Sequence, residues 1–233
     1  MAATIHVTYL FDPLCGWCYG ASGLLEQLVV RSDFAIDVMA TGLFAGEGAR
    51  AMDDNFAAYA WTNDQRISRL SGQPFSETYR HNVLGDRKRL FDSGPSTLAL
   101  TAVALAAPDR QFVALRAIQN ARYVEGRDTT DILVLAAVLR ALNMPEVADR
   151  LANPDNVLKA AFRTRLEAAR AQMRRFGANS VPALIVGAGD NRRIVGGSAL
   201  FGSMEILVEG LKAAGALSIN KDESPVSSEF GAS

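Results

Sequence analysis

The stretch IHVTYLF at residues 5–11 is followed, three residues later, by the tetrapeptide CGWC at residues 15–18, which holds both cysteines of the 233-residue chain. The apolar run predicts a short strand, and the leucine spacing at residues 24–29 predicts a helix just after the tetrapeptide. The two cysteines are therefore expected at a strand-to-helix corner. A dithiol in this position indicates redox chemistry.

The two thiols are expected to play different parts. A helix start favours an anionic sulfur, because its first backbone N–H groups are unpaired and its dipole is positive there. Cys15 is therefore predicted to be the nucleophile, and Cys18, one turn further in, the thiol that resolves a mixed disulfide. The alternatives are inert thiols and half of a zinc site. Only two histidines accompany the cysteines, so no metal is expected.

Composition predicts a soluble globular protein, since 49% of the residues are hydrophobic and 21% are charged. A formal net charge of -1 and a pI near 6.1 offer no basic surface for nucleic acid. The sequence contains no run of 18 apolar residues and no leader pattern, so no membrane partner is expected. The lack of further cysteines excludes a structural disulfide and favours a cytoplasmic location.

Periodicity predicts strands near both ends of the chain and helices in its middle. A second strand is predicted at residues 33–40, and strands return at 183–186 and 193–195, followed by a helix at 198–214. Between these parts helical spacing dominates, with helices predicted at residues 49–70, 96–106, 110–123, 129–142 and 155–176.

The predicted fold class is therefore α/β, with a helical insertion between two halves of a sheet. Residues 1–48 and 177–217 are assigned to one discontinuous domain, and residues 49–176 to the inserted helical domain. The polar residues 218–233 are predicted to form a disordered C-terminal tail.

This arrangement resembles the DsbA-like branch of the thioredoxin superfamily. The resemblance rests on the dithiol at the first helix start, the helical block, and the Ser-Val-Pro sequence at residues 180–182, and it covers nearly the whole chain. The motif FDPLCGWCYG at residues 11–20 is similar to that of a bacterial subgroup of predicted protein-disulfide isomerases, neighbours of the FrnE-like proteins. The resemblance implies a thioredoxin fold with a large helical insertion.

The resemblance also implies several site residues. In the family a cis proline lies opposite the dithiol, and this role maps onto Pro182, with Val181 before it. The backbone of Val181 is expected to pair with an extended substrate strand, and Gly16 and Trp17 are expected to contact substrate. DsbA itself carries Pro-His between its cysteines where this chain has Gly-Trp, so a weaker oxidant than DsbA is expected.

Other side chains keep two interpretations each. Asp12 is either a proton relay to Cys18 or, as favoured, an N-cap or turn residue before the helix. Tyr19 either joins Trp17 in an aromatic substrate platform or packs on the helix. Five aromatic residues of the insertion are expected in its core, with a groove lining as the alternative: Phe56, Tyr59, Trp61, Phe75 and Tyr79.

The sequence thus predicts a thiol-disulfide oxidoreductase of the reductase or isomerase type, acting on a disulfide-containing protein or a small thiol substrate. No bound cofactor is expected beyond the redox-active disulfide itself, and glutathione is a candidate reductant or co-substrate. Two alternatives use the same fold: a glutathione-dependent enzyme resembling kappa-class transferases or 2-hydroxychromene-2-carboxylate isomerases, and a redox-sensing binding protein. The oligomeric state is not predicted.

Overall fold

The computed structural model describes residues 4–219 of the chain. Within this range the strands are β1 (Ile5–Phe11), β2 (Phe34–Ala40), β3 (Arg50–Ala51), β4 (Leu90–Phe91), β5 (Ala183–Val186) and β6 (Arg193–Gly196). The helices are α1 (Gly16–Val29), α2 (Asp54–Ser71), α3 (Glu77–Asn82), α4 (Gly94–Ala106), α5 (Gln111–Tyr123), α6 (Ile132–Ala141), α7 (Pro145–Ala152), α8 (Asn156–Arg175) and α9 (Met204–Ile219). In residues 4–219, no helix combines the length and apolar character needed to cross a membrane.

The main sheet has four strands in the order β2-β1-β5-β6. Strand β1 runs parallel to β2, with Ile5 opposite Phe34, and antiparallel to β5, with Leu10 opposite Ala183. Strand β6 pairs with β5 in the antiparallel direction. All four residues of β5 are buried, and this explains its continuous apolar sequence. The C-terminal end of β1 therefore lies in the middle of the sheet, and α1 starts just beyond it.

Helices α2 to α8 lie between β2 and β5 in the chain, as the periodicity predicts. Aspartate or serine side chains cap several of them; Asp53, for example, accepts a hydrogen bond from the Phe56 N–H (2.7 Å) at the start of α2. Helix α2 ends at Gly72, whose φ of 72° is the left-handed conformation that glycine adopts readily. Helix α8 packs on β2 and α4, so the insertion and the sheet share one hydrophobic core.

The structure refines the local predictions, and one of them is wrong. The region predicted as purely helical contains the ribbon β3–β4, in which Arg50 pairs with Phe91, and strands of two residues carry no periodic signal. It also contains the short helices α3 and α7. The helical region predicted at residues 198–214 consists of two pieces, a 3-10 segment, Gly197–Phe201, and α9. Ser203 starts α9, because its hydroxyl accepts a hydrogen bond from the Ile206 N–H (3.3 Å).

The division into a discontinuous domain and an inserted domain stays a prediction. Helix α9 continues to Ile219, two residues into the predicted tail 218–233. The remainder of that predicted tail, from residue 220 onward, lies outside the described residues.

Candidate active site

The dithiol lies at the corner between β1 and α1, as predicted. Cys15 is the N-cap of α1, with extended backbone angles (φ -80°, ψ 116°), and its carbonyl accepts the Tyr19 N–H at 3.0 Å. The Cys15 N–H donates to the carbonyl oxygen of Asp12 at 3.1 Å, which closes the turn ahead of the helix. Both cysteines are free thiols. The Cys15 sulfur thus sits at the positive end of α1, where a thiolate is stabilised.

Cys18 has different surroundings. It is fully buried, with 0% of its surface exposed, whereas Cys15 keeps 7% and borders an open cavity. Burial is the main cause that raises the pKa of the Cys18 thiol, and the neighbouring Cys15 raises it further. At neutral pH Cys18 is therefore held as a thiol beneath Cys15.

The loop before β5 lies across from the dithiol. The Cys15 thiol donates to the carbonyl oxygen of Val181 at 3.6 Å, although the two residues are 166 positions apart in the chain. The Val181–Pro182 peptide bond is cis, and both residues are buried. A Cβ added at Gly197 would clash with the Pro182 carbonyl, so the residue just after β6 approaches the residue just before β5 closely.

Asp12 forms a turn and is not the N-cap of α1, because Cys15 occupies that position. Its carboxylate is fully buried and accepts hydrogen bonds from the Leu14 N–H (2.9 Å), the Phe44 N–H (3.1 Å) and the Ser93 hydroxyl (2.7 Å). Burial raises the Asp12 pKa, and these three hydrogen bonds oppose the shift. Its role as a proton relay stays a prediction.

Tyr9 is a site residue that the sequence analysis missed. Its fully buried hydroxyl donates to the carbonyl oxygen of Cys18 at 3.3 Å, and burial raises its pKa. The available signal was its alternation with the other apolar residues of β1, which predicts burial but not what the hydroxyl contacts.

A cavity of about 300 Å³ opens beside Cys15. One wall is the start of α1, with the half-buried Gly16 and Trp17. Trp17 makes an edge contact with Phe201 (5.2 Å between ring centroids), and the Arg66 guanidinium lies 5.7 Å from its ring. Tyr19 is buried and stacks on Tyr123 at 4.6 Å, so it is not part of a substrate platform.

The opposite wall of the cavity comes from the helical insertion. Phe56 and Tyr59 of α2 line it, and 65% of the Tyr59 surface is exposed. Tyr59 thus follows the groove interpretation. Phe56 lines the cavity and also packs on the buried Phe91, and Tyr79 is buried as expected although it borders the same cavity. Helix α2 presents Phe56 and Tyr59 on the side that faces α1.

Asp64 is the second site residue that was missed. It lines the cavity but is only 4% exposed, and its Oδ2 accepts a hydrogen bond from the Tyr79 hydroxyl at 3.0 Å. Burial raises the Asp64 pKa to about 7, while Tyr79 and Arg122 act in the opposite direction. A weak signal existed, since the buried residues of α2 are Ala57, Asp64 and Ile67, which share one helix face.

Comparison with solved structures places this geometry among known proteins. The chain is 29% identical to the cytosolic disulfide reductase DsbM from Pseudomonas aeruginosa, with a TM-score of 0.78 over 89% of this chain and 99% of that one. A structure of DsbM with GSH gives 28% identity and a TM-score of 0.74, over 89% of this chain and 98% of that one. These structural neighbours are DsbA-like oxidoreductases, and the similarity supports thiol-disulfide oxidoreductase activity for this chain. The sequence matches no family model and no curated protein.

The predicted fold class is confirmed for this oxidoreductase. A candidate protein disulfide isomerase from Nitrosomonas europaea shares the fold at 20% identity, with a TM-score of 0.74 over 95% of this chain and all of that one. Placement beside the FrnE-like proteins stays a prediction. The structure brings all the predicted site residues to the same end of β1: Cys15, Cys18, Gly16, Trp17, Val181, Pro182 and Asp12. Their roles in binding and catalysis stay predictions.

Proposed function

We propose that this oxidoreductase reduces or isomerises disulfides through a mixed disulfide at Cys15. The observation that carries the proposal is the contrast between the two thiols: Cys15 borders the cavity at a helix N-terminus, and Cys18 is fully buried one turn behind it. An incoming disulfide reaches only the first sulfur, and only the second is placed to attack the intermediate from inside the protein.

The reaction consists of two successive thiol–disulfide exchanges. The Cys15 thiolate attacks one sulfur of the substrate, which forms a Cys15–substrate disulfide and releases the other substrate half as a thiolate. Cys18 then attacks Cys15, which forms the Cys15–Cys18 disulfide and releases the second substrate half, and this half leaves with the Cys18 proton. Two electrons pass from the dithiol to the substrate. Two external thiols restore the dithiol by the reverse exchanges and leave as their own disulfide.

Substrate binding is assigned to four residues around Cys15. Gly16 and Trp17 line the cavity, and Val181 with Pro182 forms the opposite loop. The backbone of Val181, beside the Cys15 sulfur, is the group proposed to pair with an extended peptide. The half-buried indole of Trp17 offers an apolar surface close to the reacting sulfur.

Glutathione is the proposed small-molecule reductant or co-substrate. The similarity to DsbM, which has been solved with GSH, and the cavity of about 300 Å³ beside Cys15 support this assignment. We also propose a cytoplasmic location, because DsbM is cytosolic and because both cysteines of this chain belong to the dithiol. Disulfide-containing proteins remain the second proposed substrate class.

Two cysteine variants test the proposal. In the reduction of a mixed glutathione disulfide, Cys15→Ser is expected to lose all turnover. Cys18→Ser is expected to lose turnover and to accumulate a glutathione adduct at Cys15, which mass spectrometry detects. Turnover retained in Cys15→Ser would overturn the proposal. Glutathione conjugation or isomerisation that survives in Cys18→Ser would support the transferase alternative instead.

A further inference from the structure

Asp64 lines the cavity beside the dithiol but has no part in the proposed exchange of disulfides. It lies in the middle of α2, on the inserted helical segment, and lines the same cavity as Cys15. A carboxyl that is 4% exposed at a helix centre is costly unless its charge is balanced or it holds a proton.

The position of the carboxyl group is tightly defined. Oδ2 is held by the Tyr79 hydroxyl of α3 at 3.0 Å. Oδ1 lies against Gly16, because a Cβ added to that glycine would clash with Oδ1. The carboxyl group therefore lies against Gly16, the residue that follows Cys15, and it lines the cavity that Cys15 borders.

Charged and titratable groups face Asp64 from every element packed against it. Tyr79 and Arg122 favour the carboxylate, and burial outweighs them, so that the pKa lies at about 7. Arg50 of β3 lines the far wall, where its guanidinium covers the Phe56 ring at 4.0 Å. Tyr79 on α3 and Arg122 and Tyr123 on α5 interact electrostatically with the carboxyl. Cys15, Arg50 and Tyr59 are the other titratable groups that line the same cavity.

We propose that Asp64 is a catalytic acid that donates a proton to the substrate sulfur released when Cys15 attacks. The inference rests on the proposed function and extends it by one residue. In the reverse direction, the Asp64 carboxylate accepts the proton of the incoming thiol. Its pKa near neutrality allows both directions under ordinary conditions.

The protons balance over the full cycle. The reduced enzyme starts with a Cys15 thiolate, a protonated Asp64 and a Cys18 thiol. Attack by Cys15 releases the first substrate half, which leaves as a thiol with the Asp64 proton. Attack by Cys18 releases the second half, which leaves as a thiol with the Cys18 proton. The enzyme ends as the disulfide with an Asp64 carboxylate. Two molecules of the reducing thiol then supply two electrons and two protons and leave as their own disulfide, which restores the Cys15 thiolate, the Cys18 thiol and the protonated Asp64.

The test compares two substrates with Asp64→Asn, which keeps the shape and an oxygen acceptor for Tyr79. One substrate is a dialkyl disulfide, whose leaving thiolate needs a proton, and the other is a nitroaryl disulfide, whose leaving thiolate is stable without one. Stopped-flow measurement of the first exchange is expected to show a loss of about 10- to 100-fold for the alkyl substrate and less than about 3-fold for the aryl substrate. Equal losses for both would mean a purely structural role and would overturn the inference.

The pH profile supplies a second, independent readout. Dividing the alkyl rate by the aryl rate removes the contribution of the Cys15 thiolate, which both substrates share. In the wild type this ratio is expected to fall as the pH rises through about 7, where Asp64 loses its proton, and to be flat in Asp64→Asn. A flat ratio in the wild type would contradict the inference.

Two more variants provide a further test, Tyr79→Phe, and a matched control, Asp54→Asn. Tyr79→Phe removes the hydrogen bond that lowers the Asp64 pKa. The pH at which the alkyl-to-aryl rate ratio falls is therefore expected to move upward, while the size of the fall stays the same. This variant also decides the question if Asp64→Asn does not fold, because an unmoved midpoint would overturn the inference. Asp54→Asn, at an exposed position of the same helix, is expected to leave both rates unchanged. Failure of the proposed function would show separately, as turnover in Cys15→Ser.

Discussion

Cys15 and Cys18 have different roles although they are only three residues apart in the sequence. Cys15 takes the N-cap of α1 and borders the cavity, and Cys18 is enclosed by the core. The hydroxyl of the buried Tyr9 donates a hydrogen bond to the Cys18 carbonyl oxygen. The distinct burial of the two sulfurs therefore decides which one meets the substrate and which one resolves the intermediate.

This difference predicts the order of alkylation in the folded, reduced protein. Iodoacetamide at pH 8 is expected to modify Cys15 at least about 10-fold faster than Cys18, because burial raises the pKa of the Cys18 thiol and blocks the reagent. Peptide mapping by mass spectrometry gives both rates. In denaturant the two cysteines are expected to react at similar rates, and labelling of Cys18 first in the folded protein would reverse the proposed roles.

At the level of elements, the buried carboxylate of Asp12 joins three segments around the start of α1. It accepts hydrogen bonds from Leu14 in the β1–α1 turn, from Phe44 after β2, and from Ser93 before α4. The Ser93 N–H also donates to the Phe44 carbonyl oxygen at 3.1 Å, which links two of these segments directly. The corner that carries the dithiol is thus held from both the sheet and the helical insertion.

Substitution of Asp12 is therefore expected to destabilise the protein. Asp12→Asn places an amide NH2 against one of three donors, and a buried unsatisfied group costs about 1–3 kcal/mol in the free energy of unfolding. Ser93→Ala removes one of these hydrogen bonds and is expected to cost about 1–2 kcal/mol. Guanidinium unfolding measures both, with Asp54→Asn as the exposed control. Wild-type stability in Asp12→Asn would show that the carboxylate does not hold the corner.

At the scale of the whole molecule, the helical insertion supplies most of the cavity that the dithiol faces. A cluster of buried side chains joins the dithiol turn to the insertion, and Leu14, Tyr79, Phe91 and Tyr123 belong to it. The Tyr123 hydroxyl donates to the Leu14 carbonyl oxygen at 2.7 Å, so α5 contacts the residue just before Cys15. The dithiol corner and the insertion are therefore one packed unit at the site.

Burial of Asp64 inside this unit makes stability depend on pH. Because the folded pKa is about 7 and the ordinary value is 3.8, the folded protein retains a proton that the unfolded chain has lost between those values. The stabilising effect of protonated Asp64 is complete below the unfolded pKa and is lost as the pH rises through about 7. Asp12 also has a raised pKa, so only a comparison of variants isolates Asp64.

Asp64→Asn is expected to remove this dependence. Between pH 5 and pH 8 the unfolding free energy of the wild type should fall by about 2–3 kcal/mol more than that of the variant. Guanidinium unfolding at both pH values gives the difference. An identical pH dependence in the two proteins would mean that the carboxyl group is not held protonated in the folded state.

The sequence by itself determined the strand-to-helix corner, the position of the dithiol and the presence of a helical block. These features depend on local signals: an apolar run, leucines at helical spacing, and two cysteines three residues apart within one motif. The resemblance carried by residues 11–20 pointed further, to the Val181–Pro182 loop, which no local pattern connects to Cys15.

Only the tertiary structure decided which polar side chains share the cavity with Cys15. In the sequence, Asp64 is one polar residue among many in an amphipathic helix, and it becomes an acid with a pKa of about 7 only because α2 packs against α1 and Tyr79 reaches it from α3. The contact of the Tyr9 hydroxyl and the ribbon β3–β4 were not predicted for the same reason. Burial, and the pKa that follows from it, depend on contacts between segments far apart in the chain, and a local pattern carries no information about such contacts.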